Sequence, residues 1–293
     1  MAEKARQMAV YALFLPRIPV GLLRGTHAAA HERLGKIAAS CFLKHRMKTI
    51  AAIIIGDEIL SGKRQDKHLS KAISTLKARG LELAYAHYLG DEPDRIVATL
   101  KQSFATDHLV FSFGGIGATP DDYTRQCAAA ALGVALHAHP EAMAAMAAKP
   151  DFALTPNRVK MAEFPLGATI IPNPYNQIAA FSCGDHHFLP GFPEMAWPMM
   201  EWVLDSKYQH LFNRVAFAEE VIVIHEAGES NLIDAMNRIV TGYPNTKLSS
   251  LPQHLERGRI IELSIRGDPA EVPIAMQQMK NEVHNLGFRF DVK

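Results

Sequence analysis

The chain has 293 residues, 48% of them hydrophobic and 21% charged, with a formal net charge of +1. This length fits one large or two modest domains with an ample core, and the near-neutral charge gives no support for a nucleic-acid or membrane-surface role. Cys41, Cys127 and Cys183 form no C-x-x-C pair, which argues against zinc or a disulfide framework and fits a reducing compartment. We therefore expect a soluble, globular, cytoplasmic protein.

Residues 1–46 differ in composition from the rest of the chain. They are rich in Arg, Lys and His, and only Glu3 and Glu32 are acidic. Their apolar piece, residues 8–15, is too short to span a bilayer. We expect a poorly ordered leader that function does not need. A targeting peptide, or a true start at Met47, are the alternatives.

The next segment begins with a buried strand. Residues 47–55 are largely apolar and β-branched, which is typical of a strand covered on both faces. Leu69, Ile73 and Leu76 then recur at helical spacing, and Gly80 is expected to close that helix.

The same alternation continues through the next fifty residues. A second strand is predicted at residues 81–88, and Pro93 begins a second helix with Ile96, Leu100 and Phe104 on one face. A third strand follows. This order implies right-handed crossovers and a mainly parallel sheet, which binds ligands beyond the carboxyl ends of its strands.

The third strand ends in a glycine-rich turn at Gly114, Gly115 and Gly117. Glycine adopts positive φ and leaves room for a ligand beside the backbone. Thr119 is then the predicted N-cap and Pro120 the first residue of a helix, whose free N–H groups favour an anion. Because the spacing is not G-x-G-x-x-G, a capped helix without a ligand also fits.

Acidic residues follow two of these strands, as Asp57-Glu58 and as Asp121-Asp122. Both pairs are predicted at the same edge of the sheet. Carboxylates repel a bare phosphate, but a divalent cation takes oxygen ligands from carboxylate and phosphate alike. The agreement between the two loops favours a metal–phosphate site over a simple capped helix.

A helix is predicted at residues 140–148, and short strands follow, the last at residues 178–182. The Pro- and Gly-rich segment 188–195 is expected to form a fixed loop. Adjacent residues of a strand face opposite ways, so His186 and His187 are a poor chelating pair. We interpret them as turn residues.

A second unit is predicted at residues 206–293. Its pattern places strands at 221–225, 246–251, 259–266 and 288–292, and helices at 230–240 and 269–286. Ser230 is the expected N-cap of the first helix. The order βαββαβ is typical of a ferredoxin-like α+β module. It lacks clustered glycines and acids, which favours a dimerisation or lid role without chemistry.

Five separated motifs occur in one order. They are residues 56–62 (GDEILSG), residues 114–122 (GGIGATPDD), Asn157-Arg158 with Lys160, Asn173-Pro174, and residues 189–195 (LPGFPEM). Together they resemble the molybdopterin-binding (MoaB/Mog-type) domain, in the branch found at the N-terminus of competence/damage-inducible protein A. The match covers residues 47–205. The following module resembles the small domain of the same proteins, and we expect no nicotinamide-nucleotide amidase domain after it.

The resemblance implies a three-layer α/β/α sandwich with a nucleotide or pterin ligand over the glycine turn. Gly114, Gly115, Gly117 and Thr119 would bind phosphate. Asp121 and Asp122 would hold a metal, and either residue or Glu58 would act as the catalytic base. The remaining pocket residues would be Asp57, Ser61, Asp66, Asn157, Lys160, Asn173, Pro190 and Gly191.

Two departures from the family pattern bear on function. Lys67-His68-Leu69 follow Asp66, where adenylylating relatives continue an Asp-Arg-Ser-Gly motif. Ala118 replaces a Pro that is common in the glycine loop. The first departure makes adenylyl transfer to molybdopterin the least favoured function.

The resemblance favours a metal-dependent pyrophosphatase acting on a dinucleotide such as ADP-ribose. Mg²⁺, Mn²⁺ or Co²⁺ would be its cofactor. The alternative is a non-catalytic, regulatory protein that binds molybdopterin or a nucleotide. In either case we expect a small-molecule ligand and a homo-oligomer, with neither nucleic acid nor membrane as a partner.

Overall fold

The computed structural model describes residues 48–149, 153–212, 218–254 and 258–293. The chain divides into one unit at Met1–Met47 and another at Lys48–Lys293. The predicted leader therefore lies outside the described residues.

The larger part of the described chain alternates strands with helices. Its elements are β1 (Ile50–Ile55), α1 (Asp57–Leu60), α2 (His68–Lys77), β2 (Tyr85–Leu89), α3 (Pro93–Phe104), β3 (Leu109–Phe113), α4 (Thr124–Leu132), β4 (Leu136–Ala138), α5 (Pro140–Ala147), α6 (Pro156–Val159), β5 (Glu163–Pro165), β6 (Thr169–Ile171), β7 (Ala180–Cys183), β8 (His186–Leu189) and α7 (Pro193–Lys207). Strands β4 and β5 form a separate antiparallel pair.

The main sheet has the strand order β2-β1-β3-β8-β7-β6. Strands β2, β1, β3 and β8 are parallel to one another, whereas β7 and β6 are antiparallel to their neighbours. The predicted, mainly parallel sheet is confirmed. The carboxyl ends of β1, β3 and β8 therefore meet at one edge.

Helices cover both faces of this sheet. Alternate residues of β1 belong to opposite cores: Ala52 and Ile54 pack with α2 and α7, while Ala51 and Ile53 pack with α3, α4 and α5. Every residue of β1 is buried, as its apolar sequence predicts. The three-layer α/β/α sandwich is confirmed.

The end of helix α2 also lies where the sequence predicts it, at Gly80. Gly80 has a φ of 68° after α2, and the N–H of Leu81 returns to the carbonyl of Leu76 at 2.9 Å. This left-handed ending satisfies the last carbonyls of the helix. Because it also uses Leu81, strand β2 begins only at Tyr85, later than predicted.

His186 and His187 lie inside the buried strand β8, so their interpretation as turn residues was wrong. The His186 Nε2 contacts the Ser103 hydroxyl at 2.7 Å. The His187 ring contacts Ser182 at 2.8 Å and the Tyr208 hydroxyl at 2.9 Å. Each imidazole thus finds polar partners within the core, which makes its burial tolerable.

The last part of the chain is a small α+β module. It comprises β9 (Ala218–His225), α8 (Glu229–Gly242), β10 (Thr246–His254), β11 (Arg259–Gly267), α9 (Val272–Asn285) and β12 (Phe290–Val292). The strands are antiparallel in the order β10-β11-β9-β12, and both helices share one core with them. The ferredoxin-like arrangement is confirmed.

Helix α8 begins one residue earlier than predicted. Gly228, and not Ser230, is its N-cap, so the Ser230 prediction was wrong. The Gly228 N–H donates to the side-chain oxygen of Asn231 at 3.0 Å, which secures the start of the helix.

Helices of membrane-spanning length and apolar character do not occur in the described ranges of the chain.

Candidate functional site

The glycine turn passes directly over the ends of two neighbouring strands. Gly114 has a φ of 101°, and a Cβ at this position would lie 2.2 Å from the carbonyl oxygen of Ile55. Its N–H donates to the Leu189 carbonyl at 3.0 Å. Glycine is therefore required where the chain leaves β3 between β1 and β8.

Thr124 stabilises the glycine turn through two hydrogen bonds. Its hydroxyl donates to the Gly114 carbonyl at 3.0 Å, and its N–H donates to the Gly115 carbonyl at 2.9 Å. A Cβ on Gly115 would lie 2.2 Å from this hydroxyl. Thr124 is fully buried and fixes the shape of the turn.

Helix α4 begins at Thr124 with Tyr123 as its N-cap. The prediction that Thr119 caps the helix and that Pro120 opens it was therefore wrong. Instead, Asp122 accepts a hydrogen bond from the Thr119 N–H at 3.0 Å and another from the Thr119 hydroxyl. Because Asp122 supplies this local acceptor, residues 119–122 form a separate turn before the helix.

Arg125 lies beneath the glycine turn and is only 2% exposed. Its guanidinium donates to the carbonyl of Gly117 at 2.6 Å and to the carbonyl of Lys160. Burial lowers the pKa of Arg125, and the nearby Glu163 and Asp122 charges oppose that shift. A buried cation thus joins the turn to the segment before β5.

The loops after β1 and β2 bind each other through their acids. The Asp57 N–H donates to the Asp91 carboxylate at 2.9 Å, and the Asp91 N–H donates to the Asp57 carboxylate at 3.1 Å. Burial raises the pKa of Asp91, and the Asp57 N–H opposes the shift. The negative charges of Asp57, Glu58 and Asp121 raise this pKa further. The edge therefore carries an excess of negative charge.

Asn173 fixes the conformation of the loop between β6 and β7. Its side chain donates to the Ile178 carbonyl at 3.1 Å and accepts the Tyr175 N–H at 3.0 Å. Asn173 is 5% exposed. The loop between β6 and β7 is thus held by one buried amide.

A cavity of about 600 Å³ opens at this edge of the sheet. The predicted site residues that line it are Glu58, Gly114, Gly115, Gly117, Thr119, Asp121, Asp122, Asn173, Pro190 and Gly191. The structure thus brings together the acids of the first loop, the glycine turn and the loop after β8. A volume of this size suits a small-molecule ligand.

The other predicted pocket residues, Asp57, Ser61, Asp66, Asn157 and Lys160, are not part of this lining. Asp66 accepts the N–H groups of His68 and Leu69 at 2.7 and 3.1 Å and the Tyr88 hydroxyl at 2.7 Å. It therefore caps the start of α2. The Lys160 carbonyl binds Arg125, as described above.

Several lining residues were not among the predicted site residues, and three of them carry charge or an aromatic ring. Asp91 follows Gly90 at the end of β2, so the acid-after-strand pattern used for the other two loops would have found it. Arg64 and Phe192 also line the cavity. The Arg64 guanidinium lies 4.0 Å from Glu58 and 5.9 Å from the centre of the Phe192 ring. No spacing rule marks that contact.

Fold and cavity together define an α/β/α domain with a glycine turn and acidic loops at the ligand-binding edge of a parallel sheet. A family model described as "Probable molybdopterin binding domain" matches residues 51–210. The chain belongs to this family, which confirms the resemblance seen in its motifs.

The chain is similar to CinA-like proteins. One from Anaeromyxobacter sp. (strain K) is 35% identical over 163 residues, which cover 53% of this chain and 40% of that protein. A protein of Pyrobaculum arsenaticum is 28% identical over 224 residues, 72% of this chain and 83% of the relative. The matched region is therefore less than half of the CinA-like relative.

The chain is also similar to a CinA protein of known structure. The protein CinA of Thermoplasma acidophilum is 28% identical and superposes with a TM-score of 0.50, covering 54% of this chain and 98% of that chain. That protein is described as having unknown function.

Proposed function

We propose that the larger domain binds a nucleotide- or pterin-type ligand through its phosphates and hydrolyses a pyrophosphate bond, as in ADP-ribose, with a divalent metal. One observation carries this proposal. A glycine turn with free backbone N–H groups and the carboxylates of Glu58, Asp91 and Asp121 line a single cavity.

The turn offers free donors for a phosphate. Within the described part of the chain, the backbone N–H groups of residues 115–118 donate to no protein acceptor. Successive free N–H groups in a glycine-rich turn form a concave site for anions. The buried Arg125 guanidinium adds positive charge beneath them.

The carboxylates that line the cavity can supply oxygen ligands for a cation. Hard cations prefer carboxylate oxygens, and Mg²⁺ is often held by one or two carboxylates together with substrate phosphates and water. Among the described residues, no three His, Cys, Asp or Glu side chains are arranged to hold a metal by themselves. The donor set therefore fits a metal that binds together with the phosphates of the ligand.

We assign the metal to Asp121, with Asp91 as a second oxygen donor and the ligand phosphates completing the site. Asp122 is the less suitable of the two predicted ligands, because its Oδ2 already accepts both Thr119 donors. The bound cation would neutralise phosphate charge and lower the pKa of water. Burial and then carboxylate repulsion raise the pKa of Asp91, and the cation would offset the repulsion.

Hydrolysis then needs a base and an oriented phosphate. A water oxygen attacks one phosphorus, the bond from that phosphorus to the bridging oxygen breaks, and the second phosphate leaves. Glu58 accepts the proton of the water. The free N–H groups of residues 115–118 hold the attacked or the leaving phosphate, and Arg64 faces the same cavity.

A substrate and metal panel tests the proposal. Purified protein is incubated with ADP-ribose, FAD and other dinucleotides in the presence of Mg²⁺, Mn²⁺ or Co²⁺, and nucleotide products are separated and quantified. We expect products from the wild-type protein and at least a hundredfold loss in Asp121→Ala, on the order of removing a metal or base function. Asp107→Ala is the control, because Asp107 is exposed and lies outside the cavity lining.

A second function fits the lack of a complete metal-ligand group among the described residues. In that case the domain binds a molybdopterin or nucleotide ligand without cleaving it. Calorimetric titration distinguishes the two. Tight binding of a dinucleotide without product formation, across the whole metal panel, would exclude the hydrolase and support the binding protein.

A further inference from the structure

A second chamber of about 250 Å³ adjoins the main cavity near the beginnings of α2 and α7. The two chambers share the lining residues Ile55, Glu58, Arg64, Gly191 and Phe192. These five residues, called the ridge below, border both chambers. A ligand at the glycine turn would therefore occupy a cavity that the ridge also lines.

Phe192 is the aromatic residue of the ridge. It is 54% exposed although its backbone is firmly placed, because its carbonyl accepts the N–H groups of Met195 and Ala196 at 3.0 and 2.9 Å. It thus caps the start of α7. A rigidly based ring with more than half its surface open is a ready stacking platform.

The Arg64 guanidinium lies 5.9 Å from the centre of the Phe192 ring and 4.0 Å from the Glu58 carboxylate. Guanidinium groups and aromatic rings are attracted to each other through the ring face, and both also stack on nucleobases. The ridge therefore combines a flat apolar surface with a neighbouring cation.

The ridge adjoins the proposed phosphate site. Gly191 packs against Gly114, since a Cβ built on Gly191 would lie 3.5 Å from the Gly114 Cα. Phe192 is the next residue along the chain. A phosphate at residues 115–118 would thus leave the remainder of the same ligand within reach of the Phe192 ring.

We propose that Phe192 is a specificity-determining residue that stacks on the aromatic base of a phosphate-containing ligand. The inference rests on the ligand class of the proposed function, a nucleotide or pterin, and is independent of whether that ligand is cleaved. It explains how the site would distinguish a nucleotide from a phosphate compound without a base.

The test compares ligands with and without a base. Wild-type protein, Phe192→Ala, Phe192→Trp and Leu166→Ala are titrated calorimetrically with ADP-ribose, ribose 5-phosphate and inorganic pyrophosphate. Leu166 is the control, because it is 60% exposed and outside both chambers. We expect Phe192→Ala to weaken ADP-ribose binding about 5- to 150-fold, the range for loss of one stacked base. Phe192→Trp should preserve it.

The ligands without a base separate stacking from loop damage. Their affinities should change less than about twofold in Phe192→Ala, on the scale of substitutions that remove no contact. Equal weakening of all ligands, or unchanged ADP-ribose binding, would overturn the inference. So would wild-type protein that binds pyrophosphate but not ADP-ribose.

The outcome is separable from the proposed function. Phe192-dependent binding without hydrolysis would support the stacking role and reject the pyrophosphatase. Hydrolysis of ADP-ribose with the same KM in wild-type protein and Phe192→Ala would reject the stacking role and leave the pyrophosphatase intact.

Discussion

Replacing Gly114 with alanine should destabilise the larger domain, and the structure gives the size of the effect. The new Cβ would lie 2.2 Å from the Ile55 carbonyl oxygen and 3.2 Å from its carbonyl carbon. Both are backbone atoms at the end of β1, which pairs with a strand on each side, so the neighbour has little freedom to move. In addition, Gly114 has a φ of 101°, where alanine is strained.

These two effects cost about 1–3 kcal/mol each, so Gly114→Ala should lose about 2–6 kcal/mol. At about 2–4 °C per kcal/mol, the Tm should fall by at least about 4 °C. Urea unfolding followed by circular dichroism gives the free energy of unfolding directly. Loss of nucleotide binding should accompany the loss of stability.

Gly184→Ala is the matched control. Gly184 has a φ of 59°, but a Cβ there would meet nothing within 4 Å. This variant therefore measures the backbone strain alone, about 1–2 kcal/mol. If Gly114→Ala loses no more stability than Gly184→Ala, the close approach between the glycine turn and β1 is refuted.

Other consequences concern the buried polar groups. Arg125→Met should lower the free energy of unfolding by about 2–5 kcal/mol, because it leaves buried carbonyls without donors; urea unfolding checks this. Asp66→Ala should cost about 1 kcal/mol through loss of the α2 cap, while ligand titrations stay unchanged. Burial lowers the pKa of His186 to about 4 and of His187 to about 3. Below about pH 6.5 the unfolded chain therefore binds protons that the folded chain excludes. For each of the two histidines, the free energy of unfolding should fall by about 1.4 kcal/mol per pH unit. His187→Gln should show a shallower fall in urea unfolding between pH 7 and pH 4.5.

The sheet and its connections were predictable because their signals are local. Residues 50–55 are apolar without interruption, and a strand needs only that pattern to be buried on both faces. Pro93 and Gly80 mark helix ends by their backbone preferences. The buried strand positions of His186 and His187 were not predicted, because their hydrogen-bond partners Ser103 and Tyr208 are distant in sequence.

The site was predictable in part. The glycine turn and the acids after β1 and β3 follow from strand order, since parallel strands end at one edge. The Thr119 error arose because Asp122 accepts both the N–H and the hydroxyl of Thr119, so residues 119–122 close a turn of their own before the helix. The contact of Arg64 with Phe192 depends on how two loops approach each other, which neither loop encodes alone.

Some predictions still await experiment. They include the metal, the cytoplasmic location and the homo-oligomer. Size-exclusion chromatography with light scattering would decide the oligomeric state. The domain limits at residues 46 and 205 also stay predictions.

Arg125 has a consequence for how this protein can diverge. Its guanidinium recognises carbonyl groups of Gly117 and Lys160, and every amino acid supplies a carbonyl. Exposed side chains of the segment before β5 can therefore change while the glycine turn keeps its anchor. The two parts of the cavity wall can diverge separately, because Arg125 contacts only main-chain atoms on either side.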